Sequence, residues 1–174
     1  SYILRPGEDG LPVWLSWADA ARNTKTFFGA IGGLFHLYDD EEVFFYAEEL
    51  PKWLVELADI GQLEMHANTV CARLKNKVEQ SRDGRSGEER RSSRSEEPTS
   101  YLIQTGDSQS VSRHVLNSLR ARSPGMRPLA AQRWKEERQR RQLLCGVWVP
   151  RGENAAADAL CNLNLQAFIE KMQS

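Results

Sequence analysis

The stretch "WVPRGENAAADALCNLNL" runs from Trp148 to Leu165 and carries one aspartate, Asp158, among alanines. Pro150 and Gly152 end the strand before it, and the residues that follow predict a terminal helix over 155–172. A carboxylate at the start of a helix complements the helix dipole, so Asp158 alone is typical of a helix start. It has a second interpretation if other acids meet it at the same end of a sheet.

Length and composition predict one soluble domain. The 174 residues are 40% hydrophobic and 27% charged, and no apolar run is long enough to cross a membrane. We expect a single monomeric domain over 1–174, with its core at about 11–78 and 101–172 and no membrane association. The first residues show no apolar leader, so we expect an intracellular location, cytoplasmic or nuclear. Three cysteines, an odd number, predict reduced buried thiols: Cys71, Cys145 and Cys161.

Charge is distributed unevenly along the chain. Residues 1–72 carry 4 Lys and Arg against 12 Asp and Glu, whereas residues 73–174 carry 19 against 12. An acidic centre beside a basic surface favours a protein that handles a polyanion through metal ions.

Apolar runs and turn signals predict the element order β-β-β-α-β-α-α-β-α. A meander followed by this alternation indicates an α/β fold, a five-stranded mixed sheet with helices on both faces. The predicted strands are 13–19, 26–37, 43–46, 101–104 and 145–149. The predicted helices are 61–77, 108–121, 129–144 and 155–172, with a helical turn at 52–58 that carries Trp53, Leu54 and Leu57 inward.

One segment lacks the apolar side chains that folding needs. Residues 79–100, "EQSRDGRSGEERRSSRSEEPTS", contain no large apolar side chain and are rich in Arg, Ser and Glu. Such a stretch does not offset the entropy of ordering itself, so we predict a disordered insertion there.

Four acids stand where predicted strands end or helices begin. Asp19 follows the first strand and Asp107 the fourth, while Glu64 and Asp158 lie in the first turns of two helices. If the two strands are neighbours, their acids meet, and the helices bring the other two beside them. Four like charges repel unless cations neutralise them, and Mg²⁺ with oxygen ligands is the natural partner. Two such ions support displacement at phosphorus.

The surrounding residues resemble a known family. "WADAA" (17–21), "IGQLEMHA" (60–67), "TGDSQSV" (105–111) and "VPRGENAAADAL" (149–160) resemble, in that order, the four acidic motifs of type 1 ribonuclease H domains. The nearest likeness is to the versions of reverse-transcribing retroelements, over about 13–165. It implies a ribonuclease H-like fold and a metal-dependent endonuclease that hydrolyses the RNA strand of RNA/DNA hybrids. It also implies two Mg²⁺ ions, with Mn²⁺ as a substitute, and a reverse transcriptase domain in the same polyprotein.

The resemblance assigns roles to individual residues. Asp19 would bridge the two ions, Glu64 and Asp107 would complete one ion's shell, and Asp158 would hold the other, which activates the attacking water. The basic stretch 133–141 matches a region that grips the hybrid in some members. The nucleic-acid contacts expected are Ser108, Gln109, Asn154, Arg133 and Lys135.

Two departures keep alternatives open. Gly106 stands directly before Asp107, where the family usually has Thr or a similar residue, and no histidine lies between Val149 and Asp158. The glycine favours a catalytically degenerate connector or nucleic-acid-binding module. A related nuclease, an integrase or resolvase, shares the acid-lined sheet, but "IGQLE" followed by "DSQ" argues against it.

Overall fold

The computed structural model describes residues 8–83 and 97–174. The strands of this part are β1 (Val13–Asn23), β2 (Phe28–Leu37), β3 (Phe44–Glu49), β4 (Ser100–Gly106) and β5 (Gln142–Trp148). They form one sheet with the order β3-β2-β1-β4-β5. Strand β2 pairs antiparallel with β1 and with β3, whereas β4 pairs in parallel with β1 and with β5. The predicted five-stranded mixed sheet is therefore confirmed.

Helices cover both faces of the sheet, as predicted. They are α1 (Lys52–Leu57), α2 (Ile60–Asp83), α3 (Leu116–Ser118), α4 (Arg127–Arg140), α5 (Ala155–Cys161) and α6 (Leu165–Gln173). A π-helical segment, Gln109–Val115, leads directly into α3, and a 3₁₀ turn, Arg151–Asn154, leads into α5. Among the described residues, no helix combines the length and apolar character needed to cross a membrane.

Alternation along β1 divides the core in two. Trp14 and Ala18 are buried in one cluster with Leu63 and Ala67 of α2. On the opposite face, Trp17 packs against the cluster that α5 and α6 build. A different layer of helices therefore covers each face of β1. The residues that follow Trp17 in this strand lie between these two layers.

The prediction of one continuous terminal helix over 155–172 is wrong, because the structure has two helices there, α5 and α6. Leu163 has a left-handed backbone with φ of 56°, which ends α5 before it. Asn164 then starts α6, its side chain accepting a hydrogen bond of 3.1 Å from Ala167 N. Two asparagines around a leucine are thus a helix break that hydrophobic spacing alone does not reveal.

Of the three side chains of α1 predicted to point inward, Leu54 packs against the core, whereas the other two do not. Trp53 is 62% exposed and Leu57 is 77% exposed, whereas Val55, between them, is fully buried. A single helical turn has too few residues for its spacing to identify the inner face.

The predicted disordered insertion over 79–100 is wrong at both ends. Helix α2 continues to Asp83, and Glu79 is buried with its carboxylate accepting a 2.9 Å hydrogen bond from Trp14 Nε1. Ser100 is fully buried and begins β4. Residues 84–96 of this prediction lie outside the described residues.

Candidate active site

The sheet brings two of the predicted acids to the same edge. In the parallel pair of β1 and β4, Trp17 lies opposite Thr105. Asp19 and Asp107 each follow their member of this pair by two residues, and an even spacing keeps both on one face. The sequence predicted that the acids of the first and fourth strands meet if these strands are neighbours. The strands are neighbours, and their register brings the two acids together.

Two helices add the remaining acids. Glu64 lies in α2 with Oε1 3.4 Å from Ala20 N, and the same N–H donates a 2.9 Å hydrogen bond to Asp19 Oδ1. Ligand oxygens of Asp19, Glu64 and Asp107 lie within 4.8 Å of one another. Asp19 also belongs to a second group, with Asp158 and Cys161, whose ligand atoms meet the same limit. Asp19 is thus shared by two groups of potential metal ligands.

Small residues allow α5 to approach the sheet. Gly32 lies opposite Asp19 in β2, and a Cβ there would stand 2.5 Å from Leu160 Cβ and 2.6 Å from Cys161 N. Contacts this short do not occur, so only glycine permits this packing. The alanine-rich start of α5 and Gly32 together place Asp158 beside β1.

Gly106, the departure directly before Asp107, has a packing reason. A Cβ at this position would lie 2.5 Å from the buried Oγ of Ser112, in the π-helical segment. Trp148 in β5 holds the next residue, since its Nε1 donates a 3.1 Å hydrogen bond to the Asp107 carbonyl. The glycine therefore lets β4 and the π-helical segment pack closely while Asp107 keeps its place in the cluster.

The cluster is electrostatically strained without a cation. Burial, opposed by a hydrogen bond with Glu64 and reinforced by the Asp107 charge, raises the pKa of Asp19 from 3.8 to about 6. Burial and the neighbouring Asp19 raise the pKa of Glu64 from 4.5 to about 10. Burial also raises the pKa of Asp107, against the opposing effect of the nearby Arg151. Where buried carboxyls repel one another, one of them favours its protonated form, and a nearby cation removes that preference.

The residues present fit a hard divalent cation. Among residues 8–83 and 97–174, none of the four carboxylates forms an ion pair with Lys or Arg. Beside them, Asn154 is buried with no described hydrogen-bond partner for its Oδ1. Carboxylate and amide oxygens are the ligands that Mg²⁺ and Mn²⁺ prefer.

The structure separates the five predicted nucleic-acid contacts. Gln109 and Lys135 are exposed and Ser108 is half-buried, capping the π-helical segment through a 3.4 Å hydrogen bond from Val111 N. Asn154, predicted to contact the nucleic acid, is buried and donates a 3.1 Å hydrogen bond to the Ala18 carbonyl. That bond ties the turn before α5 to the strand that carries Asp19.

Arg133 is a second correction. It is fully buried, with its guanidinium 2.8 Å from Glu137 Oε1 and 2.6 Å from Gln104 Oε1. Arg133 therefore joins α4 to the interior of the sheet and presents no surface to a nucleic acid. A basic run on a helix does not reveal which of its members turns inward.

Three residues beside the cluster were not assigned to it from the sequence. Cys161 was predicted to be a reduced buried thiol, and Trp148 and Arg151 were given no part in the metal site. The i, i+3 spacing of Asp158 and Cys161 was a usable signal, because residues three apart share a helix side. Cys145, predicted buried, is exposed on β5.

Comparison with solved structures shows the fold. The N-terminal RNase H domain of a Mycobacterium tuberculosis protein, solved as a fusion with maltose-binding protein, is 17% identical with a TM-score of 0.64, covering 92% of this chain and 98% of that one. RNase H1 from Halobacterium salinarum is 17% identical with a TM-score of 0.62, covering 88% and 98%. LC11-RNase H1 in complex with an RNA/DNA hybrid is 16% identical with a TM-score of 0.55, covering 92% and 99%.

No family model and no curated protein matches the sequence. The likeness therefore lies in the backbone. This chain has the ribonuclease H fold, with the predicted acids at one edge of its sheet.

Proposed function

We propose that this protein is a metal-dependent endonuclease that hydrolyses the RNA strand of RNA/DNA hybrids. The observation that carries the proposal is the convergence of Asp19, Glu64, Asp107 and Asp158 in two groups that share Asp19. The fold supports it, since one neighbour with this fold was solved with an RNA/DNA hybrid.

The proposed catalytic residues are the four acids, and the proposed cofactor is a pair of Mg²⁺ ions, replaceable by Mn²⁺. Glu64 and Asp107 would hold one ion, Asp158 the other, and Asp19 both. Such ions, when bound, stabilise charge on the entering and leaving oxygens of a phosphodiester. The protein's own contribution is orientation: the Ala20 N–H fixes one Asp19 oxygen, and Trp148 fixes the backbone of Asp107.

Protonation in the cluster changes with the cofactor. Glu64, whose pKa is raised, keeps its proton in the metal-free protein and hydrogen-bonds Asp19. Glu64 would give up that proton when a cation is bound, and both carboxylates would then be free to act as ligands. Arg151, exposed and close enough to Asp107 to affect its pKa, is the candidate to orient a phosphate at the edge of the cluster.

Hybrid recognition would use the surface beside the acids. Ser108 and Gln109 directly follow Asp107 in the chain, and we propose that they contact ribose 2′-hydroxyls of the RNA strand. Lys135 lies exposed on α4 and suits a backbone phosphate.

A cleavage assay tests the proposal. Wild-type protein with Mg²⁺ should cut the labelled RNA strand of a hybrid and leave duplex DNA intact. Asp19→Asn should lose cleavage, while Glu48→Gln, an exposed acid of β3, should retain it. No cutting by the wild type, or equal cutting by Asp19→Asn, would remove the catalytic proposal, and cutting of duplex DNA would favour the integrase-like alternative.

The connector alternative rested on Gly106, and the packing of Ser112 now accounts for that glycine. We further propose a retroelement polyprotein as the source, with a reverse transcriptase domain in the same polypeptide and an intracellular location. Reading the genomic frame around this segment for a polymerase tests that proposal.

A further inference from the structure

We propose that the exposed face of α4 binds single-stranded nucleic acid, separately from the acid cluster. We call this face the α4 stripe, and its members are Arg127, Ala131, Trp134, Lys135 and Arg138. An unpaired strand would bind there without a metal ion and without being cleaved, so this role goes beyond the proposed nuclease.

The α4 stripe follows one side of the helix. Its members are spaced by three or four residues, which places their side chains on one helical face, and all of them are exposed. The opposite side is the one that packs, since Ala130, Arg133 and Glu137 are buried there. From Arg127 to Arg138 the helix rises by about 16 Å. The stripe is therefore a continuous row that a strand of several nucleotides can follow.

The α4 stripe carries positive charge that no described acid balances. Among residues 8–83 and 97–174, none of its three cations, Arg127, Lys135 and Arg138, forms an ion pair. The two acids of the helix, Glu136 and Glu137, are both paired with other arginines. Three cations without acidic partners favour binding of a phosphate backbone.

Trp134 favours an unpaired strand over other polyanions. Its side chain is 46% exposed, and Cζ of Arg138 lies 4.7 Å from the centroid of its ring. An exposed aromatic ring beside an arginine stacks with nucleic-acid bases. The faces of a paired base are covered by its neighbours in the duplex, so stacking on Trp134 requires an unpaired base. The hybrid contact proposed above for Lys135 is to a phosphate, which duplexes and single strands share.

The α4 stripe begins at the end of the molecule that carries the acid cluster. Gln62 Nε2 donates a 2.9 Å hydrogen bond to the Gly125 carbonyl, just before α4, and Glu64 follows Gln62 by two residues. Further along, Arg73 Nε lies 2.7 Å from Glu136 Oε1, so α2 and α4 run side by side. A strand on the stripe would therefore lead away from the acids, as an unpaired extension of a hybrid would.

Fluorescence anisotropy of a labelled oligothymidylate in EDTA tests this surface without catalysis. Wild-type protein should bind it, and log affinity should fall with log salt concentration with a slope of about 2, as three phosphate contacts require. Trp134→Ala should weaken binding by at least about fivefold, and Trp134→Phe, which keeps an aromatic ring, should recover much of the loss. Arg138→Gln should weaken binding and make the slope shallower.

Trp53→Ala is the matched control. Trp53 is the more exposed indole, at 62%, but it lies on α1, three residues before the exposed acid Glu56. Its replacement should leave oligothymidylate binding unchanged. Circular dichroism checks the fold of each variant, and Arg138→Gln serves if Trp134→Ala fails to fold.

Three outcomes would overturn the inference. They are no oligothymidylate binding by wild-type protein, equal binding by the folded Trp134→Ala variant, or equally tight binding of polyglutamate, a polyanion without bases. Asp19→Asn separates the two proposals, because it should lose hybrid cleavage and still bind oligothymidylate as the wild type does. Cleavage without oligothymidylate binding removes only the α4 stripe, whereas binding without cleavage removes only the nuclease.

Discussion

The electrostatic energy of the site depends chiefly on Asp19. It is 4% exposed, it lies beside Glu64 and Asp107, and no described Lys or Arg pairs with it. In the metal-free protein its negative charge is therefore unfavourable, although the proposed reaction needs that charge. Stability and function conflict at this residue, as they do at many catalytic sites.

We predict that Asp19→Asn stabilises the metal-free protein at pH 8 by about 1 to 3 kcal/mol, because it removes a buried charge and keeps the side chain's shape. The pKa of Asp19 is higher in the folded state, at about 6 against 3.8. The contribution of Asp19 to wild-type stability is therefore fully present below pH 3.8 and is lost as the pH rises through 6. The advantage of the variant should appear over that window. Urea denaturation of both proteins from pH 4 to 8 in EDTA measures it, and an Asn variant of lower stability at pH 8 would contradict it.

Single residues were predictable where the chain marks them by position, and not where the partner is distant in sequence. Asp107 directly follows β4 as predicted, whereas Asp19 lies inside β1, which continues to Asn23, and the parallel register of the two strands brings both acids together. Arg133 depends on a partner in another element, Gln104, and its position follows only from the packed structure.

At the scale of elements, close packing between β4 and the π-helical segment supports Asp107. Ser112 Oγ is buried, has no described hydrogen-bond partner and would collide with a Cβ on Gly106. The π-helical segment also places Ser112 near Gly146, in β5. Unusual helices of this kind occur often at functional sites.

We predict that Gly106→Ala lowers the free energy of unfolding by about 1 to 3 kcal/mol, because the added methyl overpacks against Ser112 Oγ. Ser112→Ala in the same chain removes the colliding oxygen and should restore most of the loss. Thermal denaturation of the two single variants and the double variant forms a complete cycle. Additive losses in the double variant would show that Ser112 is not the obstacle.

Helix α4 carries two kinds of basic residue, one buried and one exposed. We predict that Arg133→Met costs about 3 kcal/mol of stability or more, because the buried carboxylate of Glu137 loses its 2.8 Å ion pair with Arg133. Lys135→Ala, two residues away and exposed, should change stability by less than about 0.5 kcal/mol. It should instead weaken hybrid binding. The slope of log affinity against log salt concentration should become shallower by about one, because one phosphate contact is lost.

Denaturation and fluorescence titration of a hybrid at several salt concentrations measure both halves of this prediction. Reversed effects, with Lys135→Ala unfolding the protein and Arg133→Met affecting only binding, would contradict the assignment. The basic composition of α4 was readable from the sequence, but its inward side was not. Its few apolar residues mark no clear stripe, so the buried face is defined by ion pairs.

For the whole molecule, the five-stranded mixed sheet could be predicted because a meander followed by βα alternation permits few topologies, whereas the order of the strands within the sheet was left open. The length of α2 could not, since the bond between Glu79 and Trp14 joins residues 65 positions apart. The break between α5 and α6 escaped prediction for a local reason, the left-handed Leu163. The uneven charge of the chain is consistent with an acidic cluster edged by basic surface.

The central claim is that Asp19 is shared by two cations at the edge of this sheet. Anomalous diffraction from crystals soaked in Mn²⁺ tests it most directly. We predict two peaks about 4 Å apart, both in contact with Asp19, one also with Glu64 and Asp107 and the other with Asp158. A soaked crystal with no peak among these four carboxylates, or with peaks that do not touch Asp19, would contradict the account.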